Sequence, residues 1–266
     1  AATTPAAPAA AAPARPTMDA ETRAALVEAL AGAHRAEADK ARDVYRHPLE
    51  TLEFFGLRRD MTVVELAPGG GWYTDVLAPV LKGHGRYYAA HAEKDTQSEY
   101  LQKSLATYTA KLAARPELYG EVVVTEFGPN KQEIAPAGSA DMVLTFRNVH
   151  NWMSGGWADK AFQAAYTALK PGGVLGVVEH RAGTDAPQDP KAESGYVRED
   201  HVVALAEQAG FRLADKSEVN ANPKDTKDHP KGVWTLPPSY RLGDQDREKY
   251  AAIGESDRMT LVFVKP

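Results

Sequence analysis

The 266-residue chain contains no cysteine. This absence excludes disulfide bonds, thiolate metal sites and cysteine nucleophiles within the chain. No apolar run approaches the roughly 20 residues of a membrane-spanning helix, so the sequence predicts no membrane span. Basic residues are not in excess either: 31 Lys and Arg stand against 36 Asp and Glu, a formal net charge of -5. Nucleic-acid binding is therefore not expected, and a small-molecule substrate is favoured.

The composition that is present suits a folded domain. With 43% hydrophobic and 25% charged residues, the chain can bury a full core, and residues 18–266 are predicted to form one domain. Residues 1–17 are almost wholly Ala, Pro and Thr and are predicted to form a disordered leader. Such leaders often follow a removed secretory signal, which favours a periplasmic or secreted protein. A truncated cytoplasmic chain is the alternative.

Apolar strand patterns alternate with amphipathic helix patterns through the middle of the chain. The first strand is predicted over residues 62–66, and helices are predicted over residues 37–45 and 156–169 among others. Such alternation favours a doubly wound, mostly parallel sheet with helices on both faces. The predicted parts are N-terminal helices over 18–60, a core over 61–219, a lid-like insertion over 220–257 and a last strand over 258–266.

The bend after the first strand carries the strongest functional signal. The strand ends at Glu65 and Leu66 and is followed by Ala67, Pro68 and three glycines, after which a helix begins. Glycine lets the backbone turn tightly and approach a ligand, and the start of a helix offers unpaired N–H groups. This layout is typical of a loop that binds a nucleotide-like cofactor.

Several separated motifs resemble those of the class I S-adenosylmethionine-dependent methyltransferases. Residues 65–71 are similar to that family's acid-x-Gly-x-Gly-x-Gly loop, with Ala67 at the place of the first glycine. Further similar segments are residues 85–91, 137–143, 169–175 and 207–211. Segments 70–74, 146–152 and 234–238 most resemble a subgroup of predicted, often exported bacterial methyltransferases. The resemblance implies a Rossmann-like seven-stranded sheet, S-adenosylmethionine as cofactor, and methyl transfer to a small-molecule oxygen or nitrogen.

The resemblance also implies a set of cofactor-binding residues. Where the family ends its second strand in an acid that binds the ribose hydroxyls, this chain has His91. A neutral imidazole offers one acceptor, so Glu93 is expected to take over that contact. An acid after the third strand is also not evident. The cofactor-binding prediction comprises Glu65, Ala67, Gly69, Gly71, Tyr73, His91, Glu93, Phe127 and Asn148.

Arg147, His150 and His180 are the predicted catalytic residues. His150 follows the predicted fourth strand and His180 follows the fifth, which are neighbours in the family's sheet. A histidine near its ordinary pKa can remove a proton from the acceptor as the methyl group arrives. Because methyl transfer chiefly needs in-line alignment, such a base is not indispensable.

Two alternatives remain open at this stage. His150, Glu179 and His180 could bind a metal together with Asp225, Asp228 or His229, although no tight ligand spacing supports this, and no metal is predicted. The chain could also be a non-catalytic binding protein on the same fold, with an altered cofactor site. The substitution of His91 for the usual acid favours that second reading, because fold does not determine function.

Overall fold

The structure is a computed structural model that describes residues 14–266. Residues 1–13 of the predicted leader lie outside the described residues. Arg15, in its last part, donates hydrogen bonds to the carbonyl of Phe54 and to Asp215. No helix within residues 14–266 is long and apolar enough to cross a membrane.

A seven-stranded sheet forms the centre of the domain, in the order β3-β2-β1-β4-β5-β7-β6. β7 runs antiparallel to both of its neighbours, and the other pairs are parallel. The central strands are buried on both faces, as expected for a sheet covered by helices on both sides. The strands are β1 (Thr62–Leu66), β2 (Arg86–His91), β3 (Val122–Glu126), β4 (Ala140–Phe146), β5 (Leu169–His180), β6 (Arg212–Ser217) and β7 (Arg258–Val264).

Helices cover both faces of the sheet. The N-terminal helices are α1 (Ala20–Ala31), α2 (Glu37–Lys40), α3 (Asp43–Arg46) and α4 (Pro48–Phe55). The remaining helices are α5 (Thr74–Leu81), α6 (Glu99–Ala114), α7 (Pro116–Tyr119), α8 (Val149–Gly155), α9 (Ala158–Ala168), α10 (Glu199–Gln208) and α11 (Arg247–Ile253). One core holds Phe55 and Leu77 from α4 and α5, and the other holds Phe162 and Val202 from α9 and α10.

The predicted fold class is confirmed: the sheet is doubly wound and mostly parallel, with a long connection before the last strand. The predicted bounds of β1 are also confirmed. Two predicted helices are wrong in detail. The one over 37–45 divides into α2 and α3 at Arg42, whose side chain ion-pairs with Glu255 at 2.6 Å. The one over 156–169 begins at Ala158, and the separate helix α8 precedes it.

The connection between β6 and β7 packs on the domain rather than extending away from it. It contains a 3₁₀ turn (Gly232–Thr235) and α11. The backbone N–H of Val233 donates to the carbonyl of Ser194 at 2.9 Å, and Leu236 is fully buried. The carboxyl ends of β1, β4 and β5 face this connection across a cleft.

Candidate active site

A cleft with two connected lobes lies at the carboxyl ends of β1, β4 and β5. Ligands of open α/β sheets bind at this edge, where the strand order reverses. The lobes measure about 540 and 650 Å³, within the roughly 300–1,000 Å³ of small-molecule pockets. They share Ala67, Gly69, Asn148 and Trp234 as a common wall. A larger groove of about 990 Å³ lies beside β3, α9 and α10, and none of the predicted site residues lines it.

The two lobes differ in chemistry. The smaller one, here the arginine lobe, is lined by Arg42, Arg46, Arg147 and Arg258. The larger one, here the aromatic lobe, is lined by Phe127, Trp152, Trp157 and Trp234. The predicted residues Glu65, Ala67, Gly69, Tyr73, Arg147, Asn148, His150 and His180 line the arginine lobe. The predicted residues Ala67, Gly69, His91, Glu93, Phe127 and Asn148 line the aromatic lobe.

The loop between β1 and α5 adopts left-handed backbone conformations. Ala67, Gly69 and Gly71 have φ angles of 50°, 58° and 84°. Ala67 therefore takes the conformation that glycine adopts most easily, which explains why the related motif has glycine there. The Nδ2 of Asn148 donates to the carbonyl oxygens of Leu66, at 3.1 Å, and of Ala67. These contacts fix the loop against the end of β4.

The three glycines of the loop have different roles. A Cβ added at Gly69 or Gly70 would meet no heavy atom of the described residues within 4 Å, so these two positions border open space. A Cβ at Gly71 would lie 3.1 Å from the Tyr108 ring and 3.2 Å from Lys111 Nζ. Gly71 thus lines neither lobe and allows α6 to pack against the loop. The predicted cofactor contact of Gly71 stays a prediction.

Glu65 lies beneath the loop and is buried. Tyr87 donates a hydrogen bond to its Oε2, and the Tyr87 hydroxyl also lies 3.0 Å from the hydroxyl of Thr74, the first residue of α5. Burial raises the pKa of Glu65 to about 7, against the opposing charges of Arg147 and Lys111. Glu65 therefore supports the loop through Tyr87 and Thr74 and also borders the arginine lobe.

His91 uses both ring nitrogens within the protein. Its Nδ1 accepts the backbone N–H of Ala92 at 2.8 Å, which requires the proton to reside on Nε2. Nε2 then donates to the carbonyl of Gly69 at 3.1 Å. Burial lowers the pKa of His91, which favours this neutral form. His91 consequently steadies the glycine loop and has no acceptor left for a ribose hydroxyl.

Glu93 supplies a carboxylate to the lining of the aromatic lobe. Its Oε1 accepts the backbone N–H of Asn130 at 2.6 Å, while Oε2 has a single long contact of 3.4 Å to Asn130 Nδ2 among residues 14–266. Oε2 therefore retains acceptor capacity. The prediction that Glu93 replaces the missing acid is compatible with this geometry and stays a prediction.

Aromatic rings form one end of the aromatic lobe. Phe127 meets Trp152 edge-on, with ring centroids 5.5 Å apart, and meets Trp157 at 5.2 Å. Trp234, which belongs to the connection between β6 and β7, also lines this lobe. Flat apolar walls of this kind suit a planar ring such as adenine.

His150 is held by a buried carboxylate. Its backbone N–H and its Nδ1 both lie 3.1 Å from oxygens of Glu179 at the end of β5. This pairing places the proton on Nδ1 and leaves Nε2 as an acceptor, the arrangement of a positioned general base. His180 lies beside it, with ring centroids 5.3 Å apart, as the sequence predicted. The Nδ1 of His180 lies 2.5 Å from the Ser256 hydroxyl.

The side chains of His150, Glu179 and His180 could by their spacing hold a metal ion, since their ligand atoms lie within 4.8 Å of one another. Asp225, Asp228 and His229 are not part of this group in the described chain. The oxygens of Glu179 already accept N–H groups of His150 and His180. The same lobe also presents four arginines, whose charges oppose a divalent cation.

Glu255 is the main counter-ion of the arginine lobe. It pairs with Arg42 at 2.6 Å, receives a hydrogen bond from Arg258, and lies 3.9 Å from Arg46. Although burial opposes ionisation, the charges of Arg258 and Arg42 lower the pKa of Glu255 to about 2. The carboxylate is therefore ionised at neutral pH, but it faces several guanidinium groups.

Arg42, Arg46 and Arg258 each lie within ion-pair distance of Glu255. The guanidinium of Arg147, the fourth arginine of the lobe, makes no hydrogen bond or ion pair with any residue of the described chain. Its backbone N–H donates to the carbonyl of Val178 at 2.7 Å, and its φ angle is 61°. Burial, with the charge of Arg258, lowers its pKa to about 10. The group nevertheless stays charged at neutral pH and faces the lobe.

No protein-family model and no curated protein matches the chain. Solved structures do match it. A SAM-dependent methyltransferase from Aquifex aeolicus aligns with a TM-score of 0.57 at 18% identity, over 85% of this chain and 93% of that one. The [4+2]-cyclase SpnF aligns with a TM-score of 0.55 at 17% identity, over 96% and 98% of the two chains.

A third structure carries the cofactor. Phosphoethanolamine N-methyltransferase 2 of Haemonchus contortus, in complex with S-adenosyl-L-methionine, aligns with a TM-score of 0.52 at 16% identity, over 84% of this chain and 53% of that one. The fold is that of the SAM-dependent methyltransferases. At these identities the likeness concerns the architecture, and the chemistry has to be argued from the cleft.

Three arginines of the arginine lobe were not predicted from the sequence, because they lie outside the methyltransferase-like motifs. Arg42 and Arg46 come from the N-terminal helices, and Arg258 begins β7. No motif marks them, since isolated arginines are common on protein surfaces. Their burial, with Arg46 at 5% and Arg258 at 3% exposure, is the signal that distinguishes them, and it exists only in the folded chain.

The pH dependence of stability should report on His180. Burial, followed by the charges of His150 and Arg258, holds its pKa well below the ordinary value. Below about pH 6.5 the unfolded chain therefore binds a proton that the native chain does not, and native stability falls as the pH falls.

We expect the free energy of unfolding of the wild type to decrease relative to His180→Asn by up to about 1.4 kcal/mol per pH unit below pH 6.5. Urea titrations of both proteins between pH 5 and 8 measure this difference, in which the titration of groups distant from His180 cancels. Parallel curves would show that His180 titrates normally.

Proposed function

We propose that this chain is an S-adenosylmethionine-dependent methyltransferase that acts on an oxygen or nitrogen atom of a small molecule. One observation carries the proposal: the glycine loop and the Glu179-held His150 border the same cleft at the switch point of a methyltransferase sheet. The loop supplies a cofactor wall, and His150 supplies a base close to it.

The residues of the aromatic lobe fit the adenosine part of the cofactor. Phe127, Trp152 and Trp157 offer apolar faces for adenine, and Glu93 keeps an oxygen for a ribose hydroxyl. When bound, S-adenosylmethionine supplies an electrophilic methyl group on a sulfonium. Gly69, on the wall shared by both lobes, allows a ligand to pass from one lobe to the other without a side chain in the way.

The arginine lobe then receives the methyl acceptor. His150 Nε2 accepts the proton of the acceptor hydroxyl or amine while Glu179 keeps the imidazole in the required tautomer and stabilises its charged form. Trp234 and Pro237 line this lobe. Their position in the connection between β6 and β7 supports the predicted lid role of residues 220–257.

Calorimetric titration with S-adenosylmethionine and S-adenosylhomocysteine tests the proposal directly. We expect both compounds to bind at micromolar to millimolar concentration. If neither binds to folded protein at millimolar concentration, the proposal fails.

Replacing His150 with alanine should lower kcat by about 100-fold, at the low end of the range for general bases because alignment supplies much of the rate. The measurement is formation of S-adenosylhomocysteine with an acceptor found by screening phenols, alcohols and amines. His84→Ala, at an exposed position at the opposite edge of the sheet, is the matched control. An unchanged kcat in His150→Ala would remove the base from the mechanism.

A non-catalytic or differently catalytic role is the second candidate, because His91 cannot accept a hydrogen bond from ribose. The likeness to a [4+2]-cyclase shows that this fold is not confined to one named activity. Native mass spectrometry of gently purified protein separates the two: a bound adenosyl compound supports methyl transfer, and a different bound species supports the second role. Export, which the leader composition suggests, is a separate proposal that cell fractionation tests.

A further inference from the structure

The arginine lobe holds more positive charge than its own carboxylates balance. Four guanidinium groups line it, from Arg42, Arg46, Arg147 and Arg258. The acids that face them are Glu255, Asp39 and Glu65. Burial raises the pKa of Glu65 to about 7, and burial with the charge of Arg147 lowers the pKa of Arg46 to about 7, so both shifts express the cost of holding these charges in the lobe. Lys111, on the same wall, is already paired with Asp75 at 2.8 Å. An excess of positive charge in a partly desolvated space is costly unless an anion enters it.

Arg46 has hydrogen-bond donors that the described residues do not satisfy, although its charge lies near Glu255. Its side chain is 5% exposed, and its Nε and Nη1 atoms have no hydrogen-bond partner among the described residues. Its guanidinium lies over the Trp72 ring, 4.4 Å from the centroid, which holds the group in place without using its donors. Buried donors without partners are rare in native proteins and call for an explanation.

Arg147 supplies the second unpaired group. Its guanidinium has no partner within residues 14–266, and its left-handed φ of 61° is a conformation that a long side chain adopts only under constraint. Strained positions of this kind cluster at functional sites. Arg147 follows β4 directly, three residues before His150, so the free donors lie on the same lobe as the proposed base.

Resting on the proposed function, we infer that the small-molecule acceptor carries a carboxylate or phosphate group, which Arg46 and Arg147 bind in the arginine lobe next to His150. Planar guanidinium groups match the two oxygens of such an anion. The lobe measures about 540 Å³ and is lined by Trp234 and Pro237, so its size suits a small acidic molecule rather than a polymer. The amino-acid carboxylate of the cofactor shares this chemistry, and the experiment must separate the two sources.

The first arm measures anion binding without any cofactor. Inorganic phosphate, followed by phosphorus NMR and by thermal unfolding, should bind the wild type at millimolar concentration and raise its Tm. Arg147→Met should weaken phosphate binding about tenfold or more, because it removes a charge-assisted hydrogen bond. Arg212→Met, at an exposed position on β6, should leave binding unchanged. Absence of phosphate binding, or equal binding by Arg147→Met, overturns the inference.

A second readout guards against a variant that merely misfolds. Since the Arg147 guanidinium has no hydrogen-bond partner among the described residues and its charge is opposed by burial and by Arg258, Arg147→Met without phosphate should unfold at the same or a higher temperature than the wild type. Arg147→Lys keeps the charge but loses the planar fork, and its phosphate affinity should fall between those of the other two proteins. Phosphate affinity of Arg147→Lys as low as that of Arg147→Met would contradict an electrostatic contribution.

The second arm identifies the source of the anion. The wild type is saturated with S-adenosylhomocysteine, or with 5′-methylthioadenosine, which lacks the amino-acid end, and phosphate is titrated again. Persistent, Arg147-dependent phosphate binding in both complexes supports an acidic acceptor. Displacement of phosphate by S-adenosylhomocysteine but not by 5′-methylthioadenosine assigns the arginines to the cofactor and overturns the inference. If neither adenosyl compound binds while phosphate binding still depends on Arg147, the proposed methyl transfer fails and the acidic-ligand site stands.

Discussion

Replacing Glu255 with glutamine should lower the free energy of unfolding by about 3–5 kcal/mol, the usual effect of breaking a buried ion pair. The glutamine side chain has a similar shape but no charge, so Arg42, Arg46 and Arg258 would lose their shared counter-ion. Arg46 and Arg258 are almost fully buried and cannot turn to water. The lowered pKa of Glu255, about 2 against an ordinary 4.5, corresponds to a contribution of about 3 kcal/mol at neutral pH.

The pH dependence provides the check on this reading. A carboxylate with a lowered native pKa contributes stability above its unfolded pKa and loses it as the pH falls toward the native value. The difference between wild type and Glu255→Gln, measured by urea unfolding, should therefore be largest above pH 5 and shrink toward pH 2. Glu248→Gln, exposed on α11, should change stability by less than about 0.5 kcal/mol. A loss below about 1 kcal/mol in Glu255→Gln would show that the arginines do not need this carboxylate.

Gly69→Asn should abolish measurable cofactor binding, a loss of about 100-fold or more, while the protein stays folded. Asparagine tolerates positive φ angles better than other side chains, and a side chain at this position meets open space, so little strain is expected in the free protein. The new side chain would project from the wall that both lobes share, and overpacking of a filled site costs about 1–3 kcal/mol before any lost contacts are counted.

Gly83→Asn is the matched control for this change. Gly83 also has a positive φ, 73°, and open space at its Cβ among the described residues, but it lies past the far end of α5. Calorimetry with S-adenosylhomocysteine should show wild-type affinity for Gly83→Asn and none for Gly69→Asn. Equal affinities would mean that the glycine loop does not border the ligand. A substitution at Gly71 would be less informative, because it collides with Tyr108 on α6 and disturbs the fold itself.

The architecture was predictable because its signals are local. A continuous apolar run in a buried strand and an apolar stripe on a helix are both patterns of nearby residues. They placed β1 at its observed bounds, and the alternation of strands and helices predicted the parallel sheet. The motif after β1 likewise predicted a loop that borders the cleft. Short elements were harder: α2, α3 and α8 are four to seven residues long, and their ends depend on tertiary contacts rather than on propensity.

The sequence by itself therefore determined the order of elements and, through the neighbouring ends of β4 and β5, the adjacency of His150 and His180. Only the tertiary structure determined the hydrogen bonds of the two ring nitrogens of His91, because one of them requires the carbonyl of Gly69 to lie 3.1 Å away. The tertiary structure also determined which residues form the arginine lobe. Arg42 and Glu255 are separated by 213 positions in the chain and meet only where the N-terminal helices pack beside the start of β7. Hydrogen bonds and ion pairs depend on distances in space, and a linear pattern does not contain those distances.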